Sequence, residues 1–334
     1  MYPTTSASLR IMTYNILTGG NRGRMDAIEA VIREAQPDIL GIEEANDIAA
    51  CRALAERLGM YCVTGYSAGG YHVALFSRWP IRSWANYGRP AFQKGLIEAV
   101  IDVPGEPLPW HIFVGHTAAD FSQGYGAEMH RVAEVRAFIA AMERPLRLGH
   151  PHVLLGDFNA LAPGEWLNAA ELIARVSELD EERKVHGDIP GQPYLDYITP
   201  PLLHPLIPLI RAIPRTPWLA ALVNTTLNLI VPRWAINSLM QAGYIDCLRA
   251  RYGARNVPPT CPLPRPAGRI DYIWADPAIA AQRLLDCEAV ADGPCSPVNI
   301  ASDHRPILAT FARVAVENDV AQHPIERIGT EVGV

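Results

Sequence analysis

Short apolar runs, separated by amphipathic stretches, set the pattern of this chain. Residues 9–15 alternate and predict a strand that ends on a polar side chain, Asn15. A turn-rich stretch follows at 18–21. Met25, Ile28, Val31, Ile32 and Ala35 fall at helical spacing, and Pro37 stops that helix. Residues 38–44 form the next apolar run, ending in Glu43 and Glu44, and a second helix runs through Leu54 and Leu58 to Gly59. Strands are predicted at 71–76, 96–103 and 110–116, the last ending at His116. An amphipathic helix covers 129–142. Residues 151–159 read as a buried strand delivering Asp157 and Asn159 to one side, with Phe158 turned back into the core. A helix is predicted near 165–173 and a strand at 268–274 with Asp271 inside it. The last core strand, 305–314, is introduced by Asp303 and His304.

Some strands alternate with helices, whereas others follow one another as hairpins. That mixture predicts an α/β sandwich rather than a purely parallel sheet. No internal repeat is present. Residues 1–314 read as one domain and 315–334 as a polar tail. One segment departs from the pattern: no acid occurs between Tyr197 and Tyr244. Within it, residues 197–234 form an apolar, proline-broken insertion carrying Arg211, Arg215 and Arg233. Its prolines and arginines interrupt any run of the ~20 apolar residues a spanning helix needs. Three readings stand: an elaboration packed on the core, a subunit contact, or a lid on a membrane surface with its arginines at lipid phosphates.

Composition narrows the class. The 334 residues are 49% hydrophobic and 19% charged, which describes a globular chain rather than a disordered one. The net charge of −6 offers no general basic surface for gripping duplex nucleic acid. The six cysteines are scattered without a CxxC pair, as buried thiols are. The N-terminal residues are polar and lead directly into a core strand, so no secretory signal is read and a cytoplasmic location is expected, with possible peripheral contact at a membrane.

Polar residues recur where apolar strands end: Asn15, Glu44, His116, Asp157 and Asn159, with Asp271 inside a strand and Asp303-His304 before one. Singly, Asn15 reads as a turn cap, Glu43-Glu44 as a solvated pair, His116 as a surface histidine and Asp303-His304 as a turn. Asp271 between Ile270 and Tyr272 is different, because a buried acid needs a partner. Strand ends on one rim of a sandwich converge, so a single cleft accounts for all of them. Its donors are hard oxygens of the kind Mg²⁺ or Mn²⁺ prefers, with two histidines able to act as acid, base or charge stabiliser. No covalent nucleophile is among them. The set suits attack on a phosphate ester by metal-activated water.

These residues fall in Thr13-Tyr14-Asn15, Ile42-Glu43-Glu44, Gly115-His116-Thr117, Gly156-Asp157-Phe158-Asn159, Arg269-Ile270-Asp271-Tyr272 and Ser302-Asp303-His304. In that order the motifs resemble the endonuclease/exonuclease/phosphatase superfamily, which includes deoxyribonuclease I, exonuclease III-type repair endonucleases and neutral sphingomyelinases. The resemblance implies a four-layered α/β sandwich, two mixed β-sheets face to face with helices outside. It implies Mg²⁺ or Mn²⁺ held by Glu44 with Asn15 and Asp303, this chain having Glu43 where the family has glutamine. Asp157 would orient or deprotonate water, Asn159 would hold a phosphate oxygen, and His304, backed by Asp271, would contact the phosphoryl group. His116 would stand near the leaving group, and His72 lies where relatives place substrate contacts. A phosphodiester of a lipid headgroup or other small molecule is the expected substrate. A DNase-like endonuclease acting on nucleic acid, a phosphomonoesterase, and a degenerate member that only binds a membrane or protein are the alternatives.

Overall fold

The computed structural model describes residues 8–88, 92–188, 192–292 and 297–314. The tail at 315–334 lies outside the described residues. Twelve strands form two six-stranded sheets. The first is built of β1 (Ser8–Asn15), β2 (Ile39–Glu43), β3 (Tyr61–Gly65), β4 (Val73–Ser77), β11 (Leu284–Ala289) and β12 (Ile307–Ala312), in the order β11-β12-β1-β2-β4-β3. The second contains β5 (Ile81–Asn86), β6 (Gly95–Ile101), β7 (Trp110–His116), β8 (His152–Asp157), β9 (Ile245–Asp246) and β10 (Asp271–Ala275), in the order β5-β6-β7-β8-β10-β9. β1 and β2 pair in parallel, as do β7 and β8, and the other pairs are antiparallel, so both sheets are mixed.

Side-chain parity separates the layers. Leu9, Ile11, Ile39 and Leu75 of the first sheet meet Ile112, Val114, Val153, Leu155 and Ile273 of the second in one core. The opposite parity, Met12, Leu40 and Ile42, packs under α1 (Met25–Ala35) and α2 (Ile48–Leu58). On the second sheet, Phe113, Leu154, Tyr272 and Trp274 pack under α3 (Tyr125–Leu148) and α6 (Trp234–Gln241). The result is the four-layered sandwich. Gly41 marks where the sheets come closest, since a Cβ there would lie 2.0 Å from Leu155 Cδ1.

Some elements differ from their expected bounds. The helix expected near 165–173 is α4 (Ala169–His186), capped by Asn168, whose side-chain oxygen accepts from the Glu171 amide. Glu165 lies before that helix and pairs instead with the buried Arg269 guanidinium, 2.9 Å from its Nε. Asp271 opens its strand rather than sitting inside it. The insertion is helical, with short turns at Pro201–Leu206 and Ile207–Ile210 followed by α5 (Pro217–Ile230). No single described helix is long and apolar enough to cross a membrane. The segments Pro201–Arg215 and Pro217–Ile230 pass that test only as a pair bent by 111°.

Candidate active site

The polar residues at the strand ends share the parity of the core between the sheets. On β1 the inward side chains run Leu9, Ile11, Thr13 and Asn15. On β2 they run Ile39, Gly41 and Glu43. On β8 they run Val153, Leu155 and Asp157. At one edge of the sandwich, therefore, the apolar stack between the sheets gives way to acids and amides. Register completes the arrangement, pairing Asn15 with Glu43, and Asp157 with both His116 and Asp271. Gly156 permits this pairing, because a Cβ there would lie 1.8 Å from the Gly115 carbonyl.

Asp157 is the centre of the site. Its Oδ2 accepts from Asn15 Nδ2 at 3.0 Å and lies 3.3 Å from His116 Nε2, while its Oδ1 accepts from the Asn159 amide at 2.9 Å. Burial alone would raise its pKa. The His116 bond and the charges of His304 and Lys94 outweigh burial and hold the carboxyl well below the usual range. His304 Nδ1 sits 3.0 and 3.1 Å from the two Asp271 oxygens. Its Nε2 faces the cleft, 4.0 Å from both Asp157 and Asp303. Burial would lower the His304 pKa, but Asp271, Cys261 and Asp303 raise it well above the ordinary value. Asp271 also accepts from the Thr260 hydroxyl at 2.5 Å.

Glu44 lies one residue beyond β2 in left-handed backbone (φ 57°), which turns its side chain into the cleft. Its oxygens accept from the Thr18 amide at 2.8 Å and from Asn15 Nδ2 at 3.4 Å. Glu43 behaves differently. It is buried between the sheets, accepts from the Thr13 hydroxyl at 2.9 Å, and has its pKa raised by burial and by Asp271. Asp303 is likewise raised, first by burial and also by the Glu44 charge. Oxygen donors from Glu44, Asp157 and Asp303 thus converge where like charges oppose one another, while Asn15, expected as a metal ligand, turns its nitrogen to Glu44 and Asp157 because its Oδ1 accepts from the Leu17 amide. The same floor contains ligand atoms of Asp157, Asp271 and His304 within 4.8 Å of one another. This donor set fits a hard divalent cation.

Three expectations are corrected by the geometry. Asn159 is not aligned with Asp157 by strand alternation. The strand ends at Asp157, and Asn159 reaches the cleft through left-handed backbone (φ 46°) while donating to the Thr117 carbonyl at 3.0 Å. His116 is fully buried rather than a surface histidine, its Nε2 3.3 Å from Asp157 Oδ2. Burial and Lys94 lower its pKa, although the Asp157 bond opposes them. His72 precedes β4, accepts from the Ser67 amide at 3.0 Å and packs on Tyr66, away from the cleft lining. Two residues join the site that sequence reading missed. Lys94 Nζ lies 2.7 Å from His116 Nε2 and over the Tyr71 ring. Cys261 Sγ lies 3.5 Å from His304 Nε2, and burial pushes its thiol up to about 12, so it is no nucleophile.

Residues 12–304 match the Endonuclease/Exonuclease/phosphatase family model. No curated protein sequence matches the chain. Among solved structures, an AP endonuclease from Archaeoglobus fulgidus aligns at 19% identity and TM-score 0.57, covering 91% of this chain and 99% of its own. A 3'-5' exonuclease from Neisseria meningitidis aligns at 19% identity and TM-score 0.55, over the same shares. The human Nocturnin catalytic domain with bound sulfate aligns at 16% identity and TM-score 0.54, covering 93% of this chain and 96% of its own. The family match over most of its length, on this fold, makes the chain a member of the endonuclease/exonuclease/phosphatase family.

Proposed function

We propose that this phosphoesterase hydrolyses a phosphodiester one of whose substituents is apolar, such as a lipid headgroup ester, with Mg²⁺ or Mn²⁺ as cofactor. One observation carries the reading. A cavity of about 1050 Å³ is lined at one end by Glu44, Asp157 and His304 and at the other by aliphatic side chains of α4 and the insertion. A polyanionic duplex has little use for that second wall, whereas a substrate with an apolar substituent matches both.

In this reading Glu44 and Asp303 would hold the cation, with Asn15 fixing Glu44 and Asp157 by donating to both. When bound, it supplies charge neutralisation at the phosphoryl group and a more acidic water. Asp157, kept ionised by its neighbours, accepts a hydrogen bond from the attacking water and fixes its line of approach. The Asn159 carboxamide keeps one N–H on Thr117 and presents the other to a phosphoryl oxygen. His304, protonated and held by Asp271, donates to a second phosphoryl oxygen. His116 and Lys94 position Asp157.

The outer face of residues 197–234 is proposed to rest on a membrane surface. Leu202 and Leu229 are 89% and 81% exposed, and Trp218 is 69% exposed. Two of the three arginines are engaged within the protein instead. Arg211 pairs with Asp180 at 2.6 Å, and Arg233 donates to the Asn228 and Glu165 carbonyls. A nuclease activity is the second reading, supported by neighbouring solved structures described as an AP endonuclease and a 3'-5' exonuclease.

The test is hydrolysis of bis-p-nitrophenyl phosphate and p-nitrophenyl phosphate side by side. The diester is expected to be preferred. Preference for the monoester would make the protein a phosphatase and overturn the diester reading.

A further inference from the structure

Between α4 and α5 the walls of the active-site cavity become apolar. Leu172 and Ile173 of α4 face Val223 and Leu227 of α5, with Ile210 and Ile213 completing the lining. None of the 14 residues of α5 is fully buried; its apolar packing is limited to Val223, half-buried against a small cluster around Ile173, Val176 and Leu195. Two asparagines one turn apart add polar bonds to that contact. Asn224 Oδ1 accepts from the Ala170 amide at 2.9 Å, and Asn228 Oδ1 accepts from the Leu167 amide at 2.9 Å. Asn228 Nδ2 donates to the Leu167 carbonyl at 2.7 Å. Arg233 in turn donates to Asn228 Oδ1 at 2.9 Å.

Residues four apart share one helical face, so the polar face of α5 is fixed on the backbone that leads into α4. Val223 and Leu227, each one position earlier, are thereby turned to the cavity. The aliphatic face of α5 is therefore only half-buried: Val223 packs on α4, and the remaining apolar surface lines the cavity rather than closing a core. Its apolar space is also continuous with Asp157, Asn159 and His304.

We infer that the space between α4 and α5 is an alkyl-chain chamber. A single hydrocarbon chain of the substrate enters it, while the phosphate to which that chain is attached reaches the acids at the floor. This assignment rests on the phosphodiesterase reading for the chemistry at the floor, but not for the chamber's binding of a chain. At about 1050 Å³ the whole cavity stands at the upper end of the range of small-molecule sites, room for a phosphodiester head and a chain together.

Two measurements test it. The first is kcat/KM for methyl, hexyl and dodecyl p-nitrophenyl phosphate, each below its aggregation concentration so that no surface intervenes. The expected result is a rise with chain length, up to about fourfold per methylene, and a flattened rise in Leu227→Trp and Val223→Trp. The second is calorimetric binding of monomeric dodecylphosphocholine in EDTA, where no turnover occurs. Wild type is expected to bind it and both tryptophan variants, with unchanged thermal melts, to bind at least tenfold more weakly. Leu227→Ala, which enlarges the chamber, is expected to favour longer chains. Binding that is equal in wild type and both tryptophan variants would overturn the chamber, whatever the hydrolysis shows. Weaker binding in both variants with no hydrolysis of any diester would uphold the chamber and overturn the phosphodiesterase reading.

Discussion

Asp157 concentrates the site's electrostatics in one carboxylate. It is buried, yet held ionised by His116 and by the charges of His304 and Lys94. Asp157→Ala is expected to lower turnover of bis-p-nitrophenyl phosphate by about 10²–10⁴-fold, while circular dichroism stays native. Wild-type turnover in that variant would remove Asp157 from the reaction. His304 gives a prediction in pH. Asp271, with Cys261 and Asp303, overrides burial and raises the His304 pKa, so folding favours the protonated form. The resulting stability is fully present below the unfolded value of about 6.5 and is lost as pH rises through the higher folded value. In EDTA, the melting temperature of Asp271→Asn should lack the part of the decline above about pH 6.5 that wild type owes to His304. An identical decline in both proteins would contradict the pairing. Acids at strand ends were legible because they interrupt an apolar alternation. Lys94 was not, because a lone lysine before a strand carries no period, and only the register of Gly95 with His116 brings it to the cleft. His116 was legible as a site residue but not as a buried one, since burial depends on the neighbouring strands.

At the scale of elements, the interior strands were read from the sequence, with bounds shifted by a few residues, and the edges were not. The strands missed, β3, β5, β9 and β11, are the four edges of the two sheets. β5 and β11 are largely exposed, so their side chains follow no buried alternation. The insertion was legible as a departure but not as a helix docked through asparagines. Asn224→Ala with Asn228→Ala leaves the Leu167 and Ala170 amides without these partners, at about 1–3 kcal/mol each where burial is complete and less here. Faster proteolysis within residues 197–234, with the core melt preserved, is the expected outcome. Unchanged proteolysis would mean that the clamp does not hold α5. Leu202→Glu with Leu229→Glu should weaken cosedimentation with phosphatidylcholine vesicles by at least about tenfold, since each charge replaces an exposed apolar contact. Failure of the wild-type protein to sediment would exclude the membrane face.

Across the whole molecule, one parity rule accounts for core and site together. The inward face of each central strand is apolar along most of its length and polar at one end, so the contact that stabilises the sandwich also aims the acids. The fold class follows from the mixture of helices and hairpins. The direction in which the cleft opens does not, because it is set by the left-handed residues Glu44 and Asn159 just beyond their strands. The substrate preference proposed above rests on the insertion, where α5 adds an apolar wall to a floor of acids.

The most direct test of the central claim is the hydrolysis of bis-p-nitrophenyl phosphate by wild type and Glu44→Gln across a titration of Mg²⁺, starting from EDTA. The account predicts no turnover in EDTA, saturable activation in wild type, and a requirement for at least about tenfold more Mg²⁺ in the variant, which loses a charged ligand. Turnover that persists in EDTA, or an identical Mg²⁺ dependence in the two proteins, would contradict it.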